Sequence, residues 1–320
     1  MAIPNQQKPD RGKPKPQVFV RPNDPFIYLR VRTDWYCYCP TDTPLGQGAM
    51  GTVYVGYNCK TRERIAVKRV IDRYANVPQV RERARQEAAL EFRHPNLVEM
   101  IGYCEYAHDS GPIFLLSNLV EGQNLDAFVN GMSLEDPHRV EKICTAIYQI
   151  LDALDYIHSR GVIHRDIKPS NIMVEGNGNV RLMDLGIARM AEGNAFSQDG
   201  FIGTPEYSAP EQINRDRTGV TNPIDARTDI YALGITFYEM LTGSNPMSAN
   251  SDAMILSNQM TRILPDASNI PRRLMNVILK ATEKEASKRF SRAIDFKNAI
   301  IDAMTPRPSL WERVINMLSF

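Results

Sequence analysis

The chain has 320 residues, of which 43% are hydrophobic and 23% are charged, and its formal net charge is +1. This length exceeds one average domain and predicts two lobes, each with a sizeable core. The composition is that of a soluble globular protein. A net charge near zero argues against a protein that binds nucleic acid by neutralising many phosphates, so we expect no nucleic-acid partner.

Cysteines and histidines give no sign of a metal or disulfide framework. The five cysteines are an odd number without a C-x-x-C pair, and the five histidines are scattered along the chain. We expect reduced thiols in a cytosolic protein and no tightly bound transition metal. The N-terminus has no apolar signal region and the chain has no apolar run long enough to span a bilayer, so the predicted location is cytoplasmic.

The N-terminal part, residues 1–40, is predicted to be a basic, proline-rich extension. Within it, residues 1–25 contain six prolines among polar residues and are expected to stay extended. Residues 26–39 are rich in aromatic and β-branched side chains and are predicted to add a strand to the domain that follows.

Residues 41–119 are predicted to form a small lobe of antiparallel strands with one helix. Two apolar runs flank the polar turn at 58–64 and predict a hairpin. Residues 78–92 begin with a proline and continue with arginine, glutamate and alanine, which predicts the helix.

Residues 120–304 are predicted to form a larger, mainly helical lobe, which makes the fold class α+β. The clearest helix is expected at 138–159, and another follows Asp229 and ends at Gly243. The last segment, 305–320, is an amphipathic tail. Residues 308–320 are expected to dock on a partner, on the domain itself or on a membrane surface, or to form a membrane tether if the natural chain continues. One helical face of the tail carries Leu310, Trp311, Val314, Ile315 and Leu318.

The stretch from His164 to Asn171 reads His-Arg-Asp-Ile-Lys-Pro-Ser-Asn. Asp166 could take a proton from a hydroxyl nucleophile, Lys168 could steady a phosphoryl group, and Asn171 offers an oxygen ligand for a divalent cation. Phosphoryl transfer depends mostly on positioning and charge neutralisation, which this set supplies. The stretch resembles the catalytic loop of protein kinases, and the lysine two residues after the aspartate resembles the serine/threonine branch.

A glycine loop on the N-terminal side fits the same family. The G-x-G-x-x-G pattern by itself also occurs in dinucleotide-binding folds, but here it runs into a strand and a hairpin instead of a helix. The resemblance implies that the loop covers the phosphates of ATP and that Lys68, in Ile-Ala-Val-Lys, reaches the α- and β-phosphates. The residues assigned to the loop are Leu45, Gly46, Gly48, Gly51 and Val53.

The carboxylate partner of Lys68 has two candidates in this sequence. Protein kinases place this glutamate on the small-lobe helix, about ten residues before the proline of the His-Pro-Asn turn, but Arg85 occupies that position. Glu87 and Glu82 are the alternatives, and we favour Glu87. Either glutamate could instead be a solvated partner on the helix surface.

Asp184 begins an Asp-Leu-Gly sequence that resembles the Asp-Phe-Gly motif of kinases. The resemblance implies that Asp184 and Asn171 bind Mg²⁺, with Mn²⁺ as an alternative ion. It also implies that the Thr204 hydroxyl bridges Asp166 and Lys168.

Two further contacts of the larger lobe follow from the resemblance. Glu211 is expected to form a buried ion pair with Arg289, and Asp229 is expected to hydrogen-bond the backbone of the catalytic loop.

The resemblance also implies regulation and an adenine site. Arg165 precedes the catalytic aspartate and would pair with a phosphate on the activation loop, where Ser197 is the candidate; a solvated serine without a role is the alternative. Ser117 would be the gatekeeper and leave an open back pocket, although it could be an ordinary strand serine. The residues assigned to the adenine site are Val53, Ala66, Ser117, Asn118 and Val120.

The resemblance covers about residues 42–300 and is strongest to bacterial serine/threonine kinases of the eukaryotic type. It implies an ATP- and Mg²⁺-dependent enzyme that phosphorylates serine or threonine in protein substrates and self-associates for autophosphorylation. Two alternatives stay open at this point. One is a pseudokinase scaffold that binds nucleotide without catalysis, and the other is a small-molecule kinase of similar fold.

Overall fold

The computed structural model describes residues 17–48, 51–75, 78, 81, 82, 84, 85, 91–107, 110–133, 135–184, 196, 197, 200, 201, 204–213 and 224–306. The chain divides into two compact units. The smaller unit comprises Met1–Leu90 with Met100–Leu119, and the larger comprises Glu91–Glu99 with Val120–Phe320.

The smaller unit is built on an antiparallel sheet. Its strands are β1 (Val18–Val20), β2 (Ile27–Val31), β3 (Asp34–Tyr38), β4 (Gly46–Gly48), β5 (Gly51–Asn58), β6 (Arg64–Val70), β7 (Met100–Ala107) and β8 (Ser110–Asn118). They run in the order β1-β2-β3-β5-β6-β8-β7, and β4 pairs with β5. The short helix α1 (Asp72–Ala75) follows β6.

The N-terminal extension contributes more strands than the sequence predicted. Residues 26–39 do not form one strand, because Arg32 adopts a left-handed φ of 54° and reverses the chain between β2 and β3. Some of the described residues before 26 also form a strand, because β1 pairs with β2 at the edge of the sheet. Val18 is buried in the sheet core, which explains why this short apolar run orders itself.

The core of the smaller unit lies on one face of this sheet. Tyr38 is fully buried there, with its ring centroid 5.2 Å from that of Tyr54 and 5.8 Å from that of Phe114. β1 and β2 also lie against β7, so the sheet curls back towards its other edge. The fully or nearly buried members of this core are Val18, Leu29, Val31, Tyr36, Tyr38, Ile65, Val67, Cys104, Phe114 and Leu116.

The hairpin predicted around 58–64 is confirmed. β5 and β6 pair from Gly51 opposite Val70 to Tyr57 opposite Arg64. The Asn58 side chain accepts hydrogen bonds from the backbone amides of Lys60 and Thr61, which stabilises the turn.

The larger unit is mainly helical, and the α+β fold class is confirmed. Its helices are α2 (Leu125–Asn130), α3 (Arg139–His158), α4 (Pro210–Ile213), α5 (Ala226–Thr242), α6 (Asp252–Thr261), α7 (Arg272–Ala281) and α8 (Ala293–Met304). Its strands are β9 (Gly122–Asn124), β10 (Ile172–Glu175), β11 (Val180–Leu182), β12 (Phe196–Ser197) and β13 (Gly200–Phe201). Among the described helices, none is long and apolar enough to cross a bilayer.

Helices α3 and α5 form the centre of the larger unit, as the apolar periodicity predicted. α3 buries Ile143, Ile147, Ile150 and Leu154 on one side. α5 is buried along almost its whole length and ends where Gly243 takes a left-handed φ of 81°. Both helices therefore present rigid backbone to the segments that carry the candidate catalytic residues.

The helix predicted at 78–92 is shorter at its C-terminal end than expected. Residues 78, 81, 82, 84 and 85 are helical, whereas 91 and 92 are not. The reason is that Phe92 packs its ring against Tyr156 of the larger unit, at 5.9 Å between centroids. Phe92 continues the apolar pattern of the helix in the sequence, but its side chain packs against the core of the larger unit.

Candidate active site

A buried aspartate organises the loop that contains His164–Asn171. Asp229, in the first turn of α5, accepts hydrogen bonds from the backbone amides of His164 at 2.8 Å and Arg165 at 2.7 Å, and from Nε2 of His158 at 2.8 Å. Burial alone would raise the pKa of Asp229, but the hydrogen bond and charge of His158 together with the Arg165 amide hold this pKa below its usual value. The predicted contact of Asp229 with the loop backbone is confirmed.

The loop brings three of the predicted site residues together. Lys168 Nζ lies 3.0 Å from Asp166 Oδ2, and Asn171 Nδ2 donates to Asp166 Oδ2 at 2.8 Å and to its backbone oxygen at 2.8 Å. Lys168 Nζ also donates to Thr204 Oγ1 at 2.8 Å, so the lysine half of the predicted bridge is present. One carboxylate therefore contacts an amide and a cation, and the same cation contacts a hydroxyl.

The loop is tied to the segment that carries Asp184. Met183 donates its backbone amide to Asn171 O at 2.9 Å, and His164 Nε2 lies 2.8 Å from Met183 O. Two residues next to these contacts have left-handed backbone, with φ of 68° at Arg165 and 47° at Asp184. Such conformations are costly for residues other than glycine and are found where surrounding contacts enforce them, often at functional sites.

The side chains of Asn171 and Asp184 suit a divalent cation. Asn171 is 7% exposed and uses its amide nitrogen on Asp166, so its amide oxygen is the atom that can act as a ligand. Amide and carboxylate oxygens are the hard ligands that Mg²⁺ prefers. The donor set therefore fits the ion that the sequence implied.

The segment from Thr204 onward is fixed by the predicted ion pair. Arg289 donates to both carboxylate oxygens of Glu211, at 2.7 and 3.0 Å, and the two side chains are 0% and 2% exposed. Thr228 Oγ1 adds a hydrogen bond to Glu211 at 2.8 Å. The predicted pair is confirmed, and it anchors α4 beside the candidate site.

A second buried network reaches the same segment and was missed by sequence reasoning. Gln259 donates from Nε2 to Pro205 O at 3.0 Å and accepts from the Tyr231 hydroxyl at 2.6 Å. Lys284 Nζ donates to that hydroxyl at 2.7 Å, and its pKa is lowered to about 8 by burial and by the charge of Arg289. The three side chains come from distant parts of the sequence, so no local motif marks them.

The glycine loop lies at the end of the β4–β5 pairing. Gly46 faces Val53 and Gly48 faces Gly51 across the two strands. A side chain would have open space at Gly46 and Gly48, whereas at Gly51 it would collide with the backbone oxygen of Arg69. Gly51 is thus required by packing, and the other two leave their backbone accessible.

Neighbouring strands of the smaller unit carry most of the other predicted nucleotide residues. Lys68 and Ala66 lie on β6, where Lys68 is opposite Val53 of β5 and Ala66 is opposite Ser117 of β8. Asn118, at the end of β8, is opposite Ile65. Leu45 precedes β4 and its amide donates to Val53 O at 2.8 Å, while Val120 follows β8.

The helix in this unit shows an arrangement that the sequence did not predict. Arg81 is 2% exposed and donates to Glu105 Oε2 at 2.7 Å and to the backbone oxygen of Gly111. Arg85 donates to the other oxygen of Glu105 at 2.7 Å from Nη2. Arg85 therefore binds β7, which explains why a basic residue is tolerated at the position where the family pattern has glutamate.

The alternatives for the glutamate remain predictions. Glu82 has a side chain 58% exposed and lies 3.6 Å from Arg85. Glu87 lies outside the described residues, and the side chain of Ser197 does too, although its backbone belongs to β12.

Comparison with known families decides what this arrangement is. A family model described as "Protein kinase domain" matches residues 40–301. The chain belongs to the protein kinase family. The predicted resemblance is therefore confirmed, and it rests on most of the chain.

Curated relatives are bacterial serine/threonine kinases. Serine/threonine-protein kinase PknH of Mycobacterium tuberculosis is 33% identical over 268 residues, covering 82% of this chain and 41% of the relative. Probable serine/threonine-protein kinase PknB of Bifidobacterium longum is 31% identical over 279 residues, covering 81% and 39%. The chain thus spans about two fifths of the length of these relatives.

Solved structures support the fold. The PknI kinase domain of Mycobacterium tuberculosis matches with a TM-score of 0.63 and 23% sequence identity, covering 84% of this chain and 95% of that chain. Another crystal structure of the same domain matches with a TM-score of 0.60 and 23% identity, covering 81% and 94%. The predicted protein-kinase fold is confirmed.

Proposed function

We propose that the protein is a serine/threonine protein kinase that transfers the γ-phosphate of ATP to hydroxyl groups of protein substrates. The observation that carries this proposal is the placement of Asp166 between Asn171 and Lys168, with Lys168 also bonded to Thr204. A carboxylate, a cation and an amide held this closely suit phosphoryl transfer. The names of the curated relatives support the same activity.

In the proposed reaction Asp166 orients the substrate hydroxyl and accepts its proton. The hydroxyl oxygen forms a bond to the γ-phosphorus while the bond from that phosphorus to the bridging oxygen breaks, and ADP leaves. Lys168 offsets negative charge on the phosphoryl group in flight. Thr204 keeps Lys168 beside Asp166 through the hydrogen bond at 2.8 Å.

We assign the divalent cation to Asn171 and Asp184. Bound there, Mg²⁺ would neutralise charge on the β- and γ-phosphates. Asn171 would serve this role and hold Asp166 at the same time, because its nitrogen binds Asp166 and leaves the amide oxygen for the ion. We expect Mn²⁺ to replace Mg²⁺ in part.

We assign ATP binding to the glycine loop and its neighbouring strands. Lys68 would hold the α- and β-phosphates, with Glu87 as the favoured partner that orients it and Glu82 as the alternative. Accessible backbone at Gly46 and Gly48 suits a loop that covers phosphates. The adenine would lie against Leu45, Val53, Ala66, Ser117, Asn118 and Val120.

Regulation is proposed at Ser197. A phosphate there would pair with Arg165, whose left-handed backbone is fixed by Asp229 and by Gln212 Nε2, at 3.2 Å from Arg165 O. Self-association for autophosphorylation and a cytoplasmic location belong to the same proposal. Phosphopeptide mapping of active protein tests the role of Ser197. An unmodified Ser197 together with full activity of Ser197→Ala would contradict that role.

Labelling with [γ-³²P]ATP tests the central proposal. Wild-type protein should label itself or a general protein substrate on serine or threonine, and Asp166→Asn should reduce the rate by about 10²–10⁴ because it removes the general base. Asp266→Asn is the matched control, since Asp266 has a side chain 77% exposed on the same unit. Binding of ATP without labelling by the wild type would instead indicate a pseudokinase, and labelling of small metabolites alone would indicate a small-molecule kinase.

A further inference from the structure

The larger unit has a cleft of about 350 Å³ that the proposed reaction does not use. Its floor is apolar and reaches the core, because Val174 and Val180 of the β10–β11 pair and Ala146 of α3 are all buried. Phe128 of α2 forms one wall. The exposed side chains around the opening are those of His138, Glu141, Lys142 and Thr145.

Helix α8 brings the end of the described chain towards this cleft. Lys297 near the start of α8 contacts Asp152 in the second half of α3, at 2.7 Å. At its other end α8 lies beside the start of α7, where Arg273 donates to Thr305 O at 2.9 Å. Asn269, just before α7, donates to Leu241 O near the end of α5 at 2.9 Å, and Arg139 at the start of α3 donates to Met240 O at 3.3 Å. The order along α8 is therefore opposite to that along α3, and the two helices are antiparallel.

This direction places the C-terminus of α8 towards the half of α3 that lines the cleft. Met304 lies seven residues beyond Lys297, or about 10 Å of helix. The same distance back from Asp152 on α3 reaches Thr145, almost two turns away on nearly the same side of the helix. Thr145 is one of the residues that line the cleft.

The residues that follow have the length and chemistry to enter it. Residues 307–320 lie outside the described residues, and five steps from Pro306 to Trp311 span up to about 17 Å when extended. The sequence there is strongly apolar at helical spacing. Its charged residues are Arg307, Glu312 and Arg313, while at the opening Lys142 pairs with Asp136 and Glu141 contacts His138.

We propose that residues 307–320 dock in cis on this cleft, with Trp311 as the side chain that enters it. A large amphipathic ring suits a cleft with an apolar floor and a polar opening. This inference concerns the tail alone and does not depend on the proposed kinase activity.

Docking would link the tail to the candidate active site. Val174 lies three residues after Asn171, and Val180 lies four residues before Asp184. The two valines lie opposite each other on adjacent antiparallel strands. A side chain that packs against both would therefore stabilise the strands next to Asn171 and Asp184, the two metal-binding candidates.

Trp311 fluorescence in the full chain tests the proposal. The sequence has two tryptophans, and Trp35→Phe leaves Trp311 as the reporter. In this background Trp311 should be shielded from acrylamide, and Thr145→Arg should remove the shielding by filling the cleft. Thr261→Arg is the matched control, because Thr261 is also an exposed helical threonine whose hydroxyl bonds the carbonyl four residues earlier.

Tryptic cleavage after Arg313 gives a second readout of the equilibrium between the docked and the released tail. Thr145→Arg should speed cleavage about tenfold, since cleavage follows the open population and one large apolar contact shifts it by at least that factor. Thermal unfolding of each variant verifies that it is folded.

Four outcomes would overturn the proposal. Trp311 could be exposed in the parent, its shielding could survive Thr145→Arg, or the shielding could disappear on dilution, which would indicate a second copy. Shielding that appears only with anionic vesicles would assign the tail to a membrane surface and also overturn docking in cis.

Discussion

Arg289 binds Glu211 through two hydrogen bonds in the larger unit, where both side chains are almost completely buried. Because the partners share one desolvated site, each depends on the other. Glu211→Gln should therefore lower the free energy of unfolding by about 3–5 kcal/mol, since it leaves the charge of Arg289 buried without compensation. Urea unfolding measures this loss. A double replacement of both residues by methionine should cost less than the sum of the single replacements, and strict additivity would contradict the coupling.

The two glutamates that contact Arg85 should differ sharply. Glu105→Gln leaves Arg81, which is 2% exposed, without its anion and should destabilise the protein by about 3–5 kcal/mol. Glu82→Gln removes a contact at 3.6 Å between side chains 38% and 58% exposed, and should cost less than about 1 kcal/mol. Chemical denaturation of the two variants side by side makes the comparison. Equal losses would mean that Glu105 does not anchor the helix.

Thr204→Val tests the hydroxyl beside Lys168. Losing the acceptor at 2.8 Å from Nζ should lower kcat about tenfold, the worth of one hydrogen bond to a charged group, while the KM for ATP stays near the wild-type value. Thr204→Ser keeps the hydroxyl and should restore most of the rate. If Thr204→Ser is as slow as Thr204→Val, packing of the methyl group matters and the hydrogen bond does not.

Lys284 should make stability depend on pH in the alkaline range. Its pKa falls from 10.5 to about 8 in the folded protein, so between these values the unfolded chain binds the proton more strongly. The free energy of unfolding should therefore rise, through this group, as pH increases from about 8 to 10.5. Lys284→Arg keeps its charge throughout this range. Parallel pH profiles for wild type and Lys284→Arg, measured by urea unfolding, would contradict the shift.

Ser117 should control which inhibitors bind. Its small side chain on β8, opposite Ala66, leaves room for bulky purine-type inhibitors if it is the gatekeeper. Ser117→Phe should abolish inhibition by these compounds in a kinase assay, whereas Ser117→Gly should retain it. Undiminished inhibition of Ser117→Phe would place the compounds elsewhere.

Sequence reasoning succeeded where the role of a residue leaves a local signal or belongs to a family motif. Asp229 and Gly243 were placed correctly because a helix start and a helix stop leave local signals. The Glu211–Arg289 pair was found through the family motif, since 78 residues separate its members. Periodicity located α3 to within one residue at each end because its apolar face is long and regular.

The failures share a different physical origin. Arg81 reads as a surface residue because a charged side chain is rarely buried, and only the fold brings Glu105 close enough to change that. Gln259 and Lys284 acquire their roles through Tyr231, which no spacing rule connects to them. The turn at Arg32 was missed because its left-handed backbone lies in a residue that normally avoids it.

The three-residue strand β1 also bears on how this protein behaves in concentrated solution. It occupies one edge of the sheet, and an edge this short offers little template for another chain. A chain shortened to begin at Ile27 would expose the five-residue strand β2 as the new edge, beside a Trp35 ring that has lost Phe19 at 5.0 Å. Such a truncation would make the sheet prone to edge-to-edge aggregation, even though it removes none of the residues assigned to nucleotide binding or catalysis.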